Sequence, residues 1–147
     1  MVGFETGNNL IEDTIVVGVN DYAHLTEGWF DRVIDGRNGI VYRVTQSQAK
    51  FRINKADGHN WLLCLVSASP SITGKPFHGE LCYDQKVLGK FELPTDNWVI
   101  RRFDISAIKP GIGEFWFDIK TTFIPDLYLH NGDFRRLGIS VAAIRLS

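Results

Sequence analysis

The chain has 147 residues, with 16 Lys and Arg against 17 Asp and Glu, for a formal net charge of −1. Hydrophobic residues make up 44% and charged residues 22%, the composition of a folded globular protein, which excludes disorder as the main state. The near-neutral balance lacks the basic footprint of a dedicated nucleic-acid binder, and no apolar run approaches the ~20 residues that span a bilayer. The opening MVGFETGNNLIEDT has neither a basic nor an apolar leader region. The expectation is one domain over residues 1–147, cytoplasmic, with no membrane span and no nucleic-acid partner.

Turn-forming clusters recur along the chain: GNN near 7, DGRNG near 35, KADGHN near 55, SPSITGKP near 69, LPTDN near 93, KPGIG near 109 and HNGD near 130. Between them lie short runs rich in Val, Ile, Phe, Tyr, Trp and Thr. In chain order, strands are predicted at 14–19, 40–46, 49–54, 61–68, 77–84, 86–93, 98–105, 113–121 and 138–146. TEGWFDR, which carries Trp29, reads as a connection. The run 61–68 is apolar on both faces and reads as a central, well-covered strand. YDQKVLGKF reads as a hairpin turning near Asp84, Gln85 and Lys86. No run keeps a helical period. About nine short strands with turn chemistry between them indicate an all-β sandwich or barrel, read here as a two-sheet antiparallel β-sandwich.

Two cysteines, Cys64 and Cys82, sit in apolar runs without CxxC or Cys/His ligand spacing, which reads as two buried thiols rather than zinc ligands. Sequence does not decide whether they pair. No GxSxG elbow, HExxH pattern or phosphate-binding glycine loop is present. Several carboxylates could serve a glycosidase, but their spacing selects no pair. These absences favour a non-catalytic module; a small β-sandwich glycan lyase or hydrolase remains a minor alternative.

Sugar recognition combines an aromatic platform for the C–H face of a pyranose with side chains that bond the hydroxyl rim. Period-two alternation puts Phe115, Phe117 and Ile119 on one face of their strand and Trp116 and Asp118 on the other. It puts Trp98, Arg102 and Asp104 opposite Val99, Phe103 and Ile105. If the two strands share a sheet, Trp116, Asp118 and Arg102 line one surface, with Trp98 near it. The competing reading covers Trp116 with a loop or the N-terminal segment and makes Arg102–Asp118 a surface ion pair of little weight. Trp29 is either a plug at the sandwich end or a binding aromatic. Asp133 and Arg135 are either a structural pair before the last strand or ligands for hydroxyls.

The order Gly28-Trp29, Arg43 on the next strand, the run Val87–Leu93 before Trp98, and Asp133-Phe134-Arg135-Arg136-Leu137-Gly138 before the last strand resembles a β-sandwich accessory domain of bacterial glycosyltransferases and methyltransferases of cell-surface polysaccharide synthesis. The resemblance covers about residues 26–147 and leaves residues 1–25 as an N-terminal segment with the first strand. It implies a jelly-roll carbohydrate-binding module that holds a polysaccharide or oligosaccharide near a partner enzyme. Onto this chain it places Trp29, Arg43, Asp133 and Arg135. Val44 stands where such domains often carry tryptophan.

The candidate carbohydrate-binding residues are therefore Trp116, Asp118, Arg102, Trp98, Trp29, Asp133 and Arg135. The alternative is a structural module that mediates oligomerisation or docks to a glycan-processing enzyme. No cofactor is expected. Asn8, Asn9, Glu12, Asp13 or Asp21 could give oxygens to a structural calcium ion near the first strand, but no metal is predicted.

Overall fold

All nine predicted strands form, and a tenth joins them, in a computed structural model that describes residues 11–147. The strands are β1 (Thr14–Val16), β2 (Trp29–Ile34), β3 (Val41–Thr45), β4 (Gln48–Lys55), β5 (Trp61–Ser67), β6 (Phe77–Tyr83), β7 (Lys86–Leu93), β8 (Val99–Asp104), β9 (Gly111–Ile119) and β10 (Ser140–Leu146). One sheet has the order β2-β3-β10-β5-β8, with β1 also paired to β10; the other has the order β4-β9-β6-β7. Every pairing is antiparallel.

The inner faces carry the alternate apolar residues. Phe51, Ile53, Phe115, Phe117, Leu81 and Leu93 of the four-stranded sheet meet Leu62, Cys64, Val66, Phe103, Val141 and Ile144 of the other. Phe91 bridges the layers, edge-on to Phe117 at 6.3 Å and to Phe103 at 6.0 Å. Each fully buried phenylalanine contributes about 1.5–3 kcal/mol of transfer free energy. Cys64 and Cys82 are buried free thiols, one in each sheet. The β6–β7 hairpin turns through Asp84 and Gln85, both at positive φ (50° and 62°) as a two-residue primed turn requires.

Three sequence expectations need correction. TEGWFDR is not a connection from Trp29 onward: Trp29 opens β2, an edge strand whose last four residues are exposed. Pairing with β3, rather than side-chain burial, makes it a strand, so alternation leaves no trace in its sequence. The strand 61–68 is less covered than its two apolar faces suggest. β5 lies next to the edge strand β8, and its outward Leu63 and Leu65 are only half-buried. Finally, three single helical turns occur among the described residues: α1 (Asp21–His24), α2 (Pro70–Thr73) and α3 (Asp126–Leu129). Four residues are too few to show a helical period.

Candidate functional site

Strand β9 sets the geometry of the outer face of the four-stranded sheet. With Phe115, Phe117 and Ile119 in the core, Glu114, Trp116 and Asp118 must face outward. Antiparallel register places Lys50 of β4 and Cys82 of β6 on either side of Trp116. Two hollows lie along the outer face of β9, one walled by the indole and one at Asp118. One, of about 540 Å³, is lined by Tyr83, Asp84, Gln85, Ile112, Glu114 and Trp116. The other, of about 380 Å³, is lined by Glu27, Gln46, Ser47, Gln48, Lys50 and Asp118. From Ile112 to Asp118 the strip runs about 20 Å at the ~3.4 Å rise of an antiparallel strand.

The half-buried Trp116 differs from the other three indoles. Trp29 donates its Nε1–H to the Lys50 carbonyl at 2.7 Å and sets its ring edge-on to Phe117 at 6.4 Å. Trp98 donates to Asp35 Oδ2 at 3.1 Å and meets Tyr42 edge-on at 5.5 Å. Trp61, 38% exposed, lies under the Arg102 guanidinium, 4.7 Å from the ring centroid. Among the described residues, the Trp116 N–H has no hydrogen-bond partner and its ring enters no aromatic pair and no cation–π contact, with Lys50 as its cross-strand neighbour. The side chains of Asp84, Gln85, Glu114, Gln46, Ser47 and Gln48 likewise make no hydrogen bond within the described residues. Such a ring, with the Asp84 and Glu114 carboxylates and the Gln85 amide on one side and the Gln46 and Gln48 amides and the Ser47 hydroxyl towards the other, can stack on a pyranose and bond its hydroxyls.

The face is charged but locally balanced. Lys120 bonds Asp118 at 2.8 Å and reaches Glu80 at 3.5 Å, while Lys90 approaches Glu80 at 3.9 Å. The Asp118 hydrogen bond and charge hold the Lys120 ammonium above its ordinary pKa. Burial pushes the Cys82 thiol up, and the Asp118 and Glu80 carboxylates add to it. Lys50 makes a looser pair with Glu27 at 3.7 Å.

The structure disperses the remaining candidates. Trp116 and Asp118 share a face, but Arg102 does not join them. It lies on β8, in the other sheet, so its side chain faces outward on the opposite side of the sandwich. The parity of both strands is as expected; only their common sheet is not. Trp98 precedes β8 at the loop end of the six-stranded sheet. Trp29 packs against the core with its N–H spent on backbone. Asp133 clasps the Arg135 guanidinium at 2.9 and 2.7 Å, and that guanidinium lies 5.1 Å from the Phe30 ring centroid. The clasp holds the Asp133 carboxyl down at about 2. Arg43 bonds Asp21 at 2.7 Å and the Phe30 carbonyl at 3.0 Å. These contacts tie α1, β2, β3 and the segment before β10 together. Sequence reasoning missed Gln46, Ser47, Gln48, Gln85 and Glu114; only their position at strand ends and in a hairpin turn marked them.

Of the oxygens named for calcium, Asn8 and Asn9 lie outside the described residues. Asp21 is committed to Arg43 and the Gly18 N–H, and Glu12 accepts from Asn20. Among the described residues, no group of three or more His, Cys, Asp or Glu could hold a metal ion.

No family model and no curated protein sequence matches the chain. Solved structures do, at the level of fold. A CBM35 module in complex with a glucuronic-acid-containing disaccharide superposes with a TM-score of 0.52 at 12% identity, over 91% of each chain. A cycloisomaltooligosaccharide glucanotransferase from Paenibacillus sp., in complex with cycloisomaltoheptaose, gives 0.54 at 14% identity over 95% of this chain and 19% of that one. A chain of Clostridium perfringens ZmpB with CBM51-2 and INT domains is matched over 79% of this chain at 0.41 and 11% identity, and this chain spans 25% of its length. The fold is thus the β-sandwich of carbohydrate-binding modules.

Proposed function

We propose that this chain is a non-catalytic carbohydrate-binding module that lays a linear stretch of glycan along β9, with Trp116 stacked on one sugar ring. The observation that carries this reading is the Trp116 indole, which makes no hydrogen bond within the described residues, at the wall of one hollow and close along β9 to a second, with Gln85, Glu114, Gln46 and Gln48 likewise making no hydrogen bond there. The shared sandwich fold supports the class. Gln46, Gln48, Gln85 and Glu114 bond hydroxyls on either side of the stacked ring. A shallow strip of this kind binds weakly, because each hydroxyl exchanges water for protein and little surface is buried. The natural setting is beside a glycosyltransferase or another glycan-processing enzyme, where weak binding keeps the polymer close without trapping it. Titration calorimetry against a panel of linear polysaccharides tests this. Binding of at least one, weakened about tenfold or more by Trp116→Ala and unchanged by Trp61→Ala, is expected. A panel that gives no heat at millimolar sugar overturns it.

One observation favours a second reading, a docking or assembly module. Val16, Leu63, Leu65, Ile100 and Ala143 line an apolar hollow of about 330 Å³ on the outer face of the six-stranded sheet. Ile100 is 64% exposed there. Light scattering across concentration separates the readings: a stable oligomer abolished by Ile100→Asp supports assembly, and a monomer at all concentrations opposes self-association.

A further inference from the structure

A separate concavity lies at the loop end of the six-stranded sheet, where the β2–β3 loop, the entrance to α2, the loop before β8 and the start of β10 converge. Its volume is about 150 Å³, and its wall includes Tyr42, Trp98, Asp35, Arg37, Ser69 and Ser140. That is about five times the ~30 Å³ share of one liquid water. It is also well below the ~300–1,000 Å³ of drug-sized sites. Such a recess admits part or all of one sugar ring and cannot pass a chain.

The wall has a fixed layer and a free layer. In the fixed layer, Asp35 accepts from Arg37 Nε at 3.2 Å, from Arg37 Nη2 at 3.1 Å and from the Trp98 indole. These bonds hold the Asp35 carboxyl well below the usual range, the Arg37 guanidinium contributing most. Asp96, beside it, accepts the Ser71 N–H at 3.0 Å and the Ser71 hydroxyl, which anchors α2. In the free layer, the Tyr42, Ser69 and Ser140 hydroxyls and Arg37 Nη1 make no hydrogen bond within the described residues. Three hydroxyls that donate or accept, and one guanidinium N–H that donates, complement adjacent hydroxyls of a polyol. The edge-on Tyr42–Trp98 pair supplies a rigid aromatic wall. The charge is net acidic, with two carboxylates against one guanidinium already chelated by Asp35. A carboxylated or phosphorylated sugar would therefore bring its anion against Asp35 and Asp96.

We infer that this recess is a second glycan site, which takes a single neutral terminal sugar ring, distinct from the Trp116 strip that takes the interior of a chain. The inference rests on the carbohydrate-binding reading but not on Trp116.

The test is two-dimensional NMR of the full chain and of three variants: Trp116→Ala, Tyr42→Phe and Tyr42→Phe/Ser140→Ala. The ligands are methyl glycosides of neutral hexoses and the corresponding uronic acids. Shifts at the Ser69 and Ser140 amides and the Trp98 indole are expected with a neutral glycoside, equally in Trp116→Ala. The double variant should bind that glycoside about tenfold more weakly, as for the loss of one or two hydrogen bonds, at an unchanged melting temperature. Tyr42→Phe alone, which keeps the ring, should show part of the loss if the double variant is too unstable to assay. Absence of shifts at these three positions with every glycoside overturns the inference, even if polysaccharide still binds at Trp116. Uronic acids binding better than neutral sugars overturns its ligand class. Shifts here that persist when Trp116→Ala leaves polysaccharide affinity unchanged support the inference while refuting the strip.

Discussion

Gly28 is the position where a single methyl group should do the most damage. Its φ is +88°, and a Cβ there would fall well inside contact distance of the Gln48 carbonyl oxygen and 2.8 Å from Ala49 Cα. Both obstacles are backbone of an internal segment, so a rotamer change cannot relieve them. Gly28→Ala therefore bears two costs. The left-handed conformation costs an L-residue about 1–2 kcal/mol. Moving the segment away from β4 loosens two bonds, Gln46 N–H to the Gly28 carbonyl and Lys50 N–H to the Glu27 carbonyl, both 2.8 Å, at about 1 kcal/mol each. The sum is about 3–4 kcal/mol, or a fall in melting temperature of roughly 6–16 °C for a chain of this size. Urea and thermal unfolding measure it, with Gly58→Ala as the control, because a Cβ at Gly58 meets nothing within 4 Å. A Gly28→Ala protein within about 0.5 kcal/mol of the parent would refute the reasoning. The same segment lines the hollow beside Asp118, so polysaccharide affinity should fall with stability.

Asp21→Asn should destabilise by about 3–5 kcal/mol, since it leaves the largely buried Arg43 guanidinium without its counter-charge; chemical denaturation measures this. Burial works to raise the Asp21 pKa, but the Arg43 and Gly18 bonds outweigh it and pull it below its ordinary value. Its stabilisation is therefore full above the unfolded value of ~3.9 and is lost as pH falls through the lower folded value; the Asp21→Asn variant should lack that step. The Asp133–Arg135 clasp follows the same sign: with the carboxyl held at about 2, NMR of the Arg135 Nε–H should show it intact at neutral pH and released only in strong acid. Burial pushes the Cys64 thiol up to about 12 and also raises Cys82. Neither should react with a disulfide reagent at mildly alkaline pH until the protein unfolds, when both should.

The fold was legible because most strands have one wet and one dry face. β9 and β4 show this in their letters: Phe115, Phe117, Phe51 and Ile53 recur at every second position, alternate with outward-facing residues that are mostly polar, and are all buried. β2 shows nothing of the kind, because an edge strand with an exposed tail is held by its backbone bonds to β3. Trp116 and Asp118 could be assigned a common face from parity alone. Their separation from Arg102 could not be foreseen, since the chain crosses between layers within the loop from β7 to β8 and again before β9, and parity carries no record of which layer a strand joins. The recess at Tyr42 and Trp98 is assembled from four segments far apart in sequence, so no local pattern announces it.

The account stands most directly on Trp116. Each of the four indole N–H groups gives its own NMR resonance, and titration with a linear polysaccharide selected by calorimetry reports which of them the sugar meets. The Trp116 resonance should shift progressively, while that of Trp29, bonded to the Lys50 carbonyl, and that of Trp61, beneath Arg102, stay in place. Binding that moves Trp29 or Trp61 and leaves Trp116 still would contradict it.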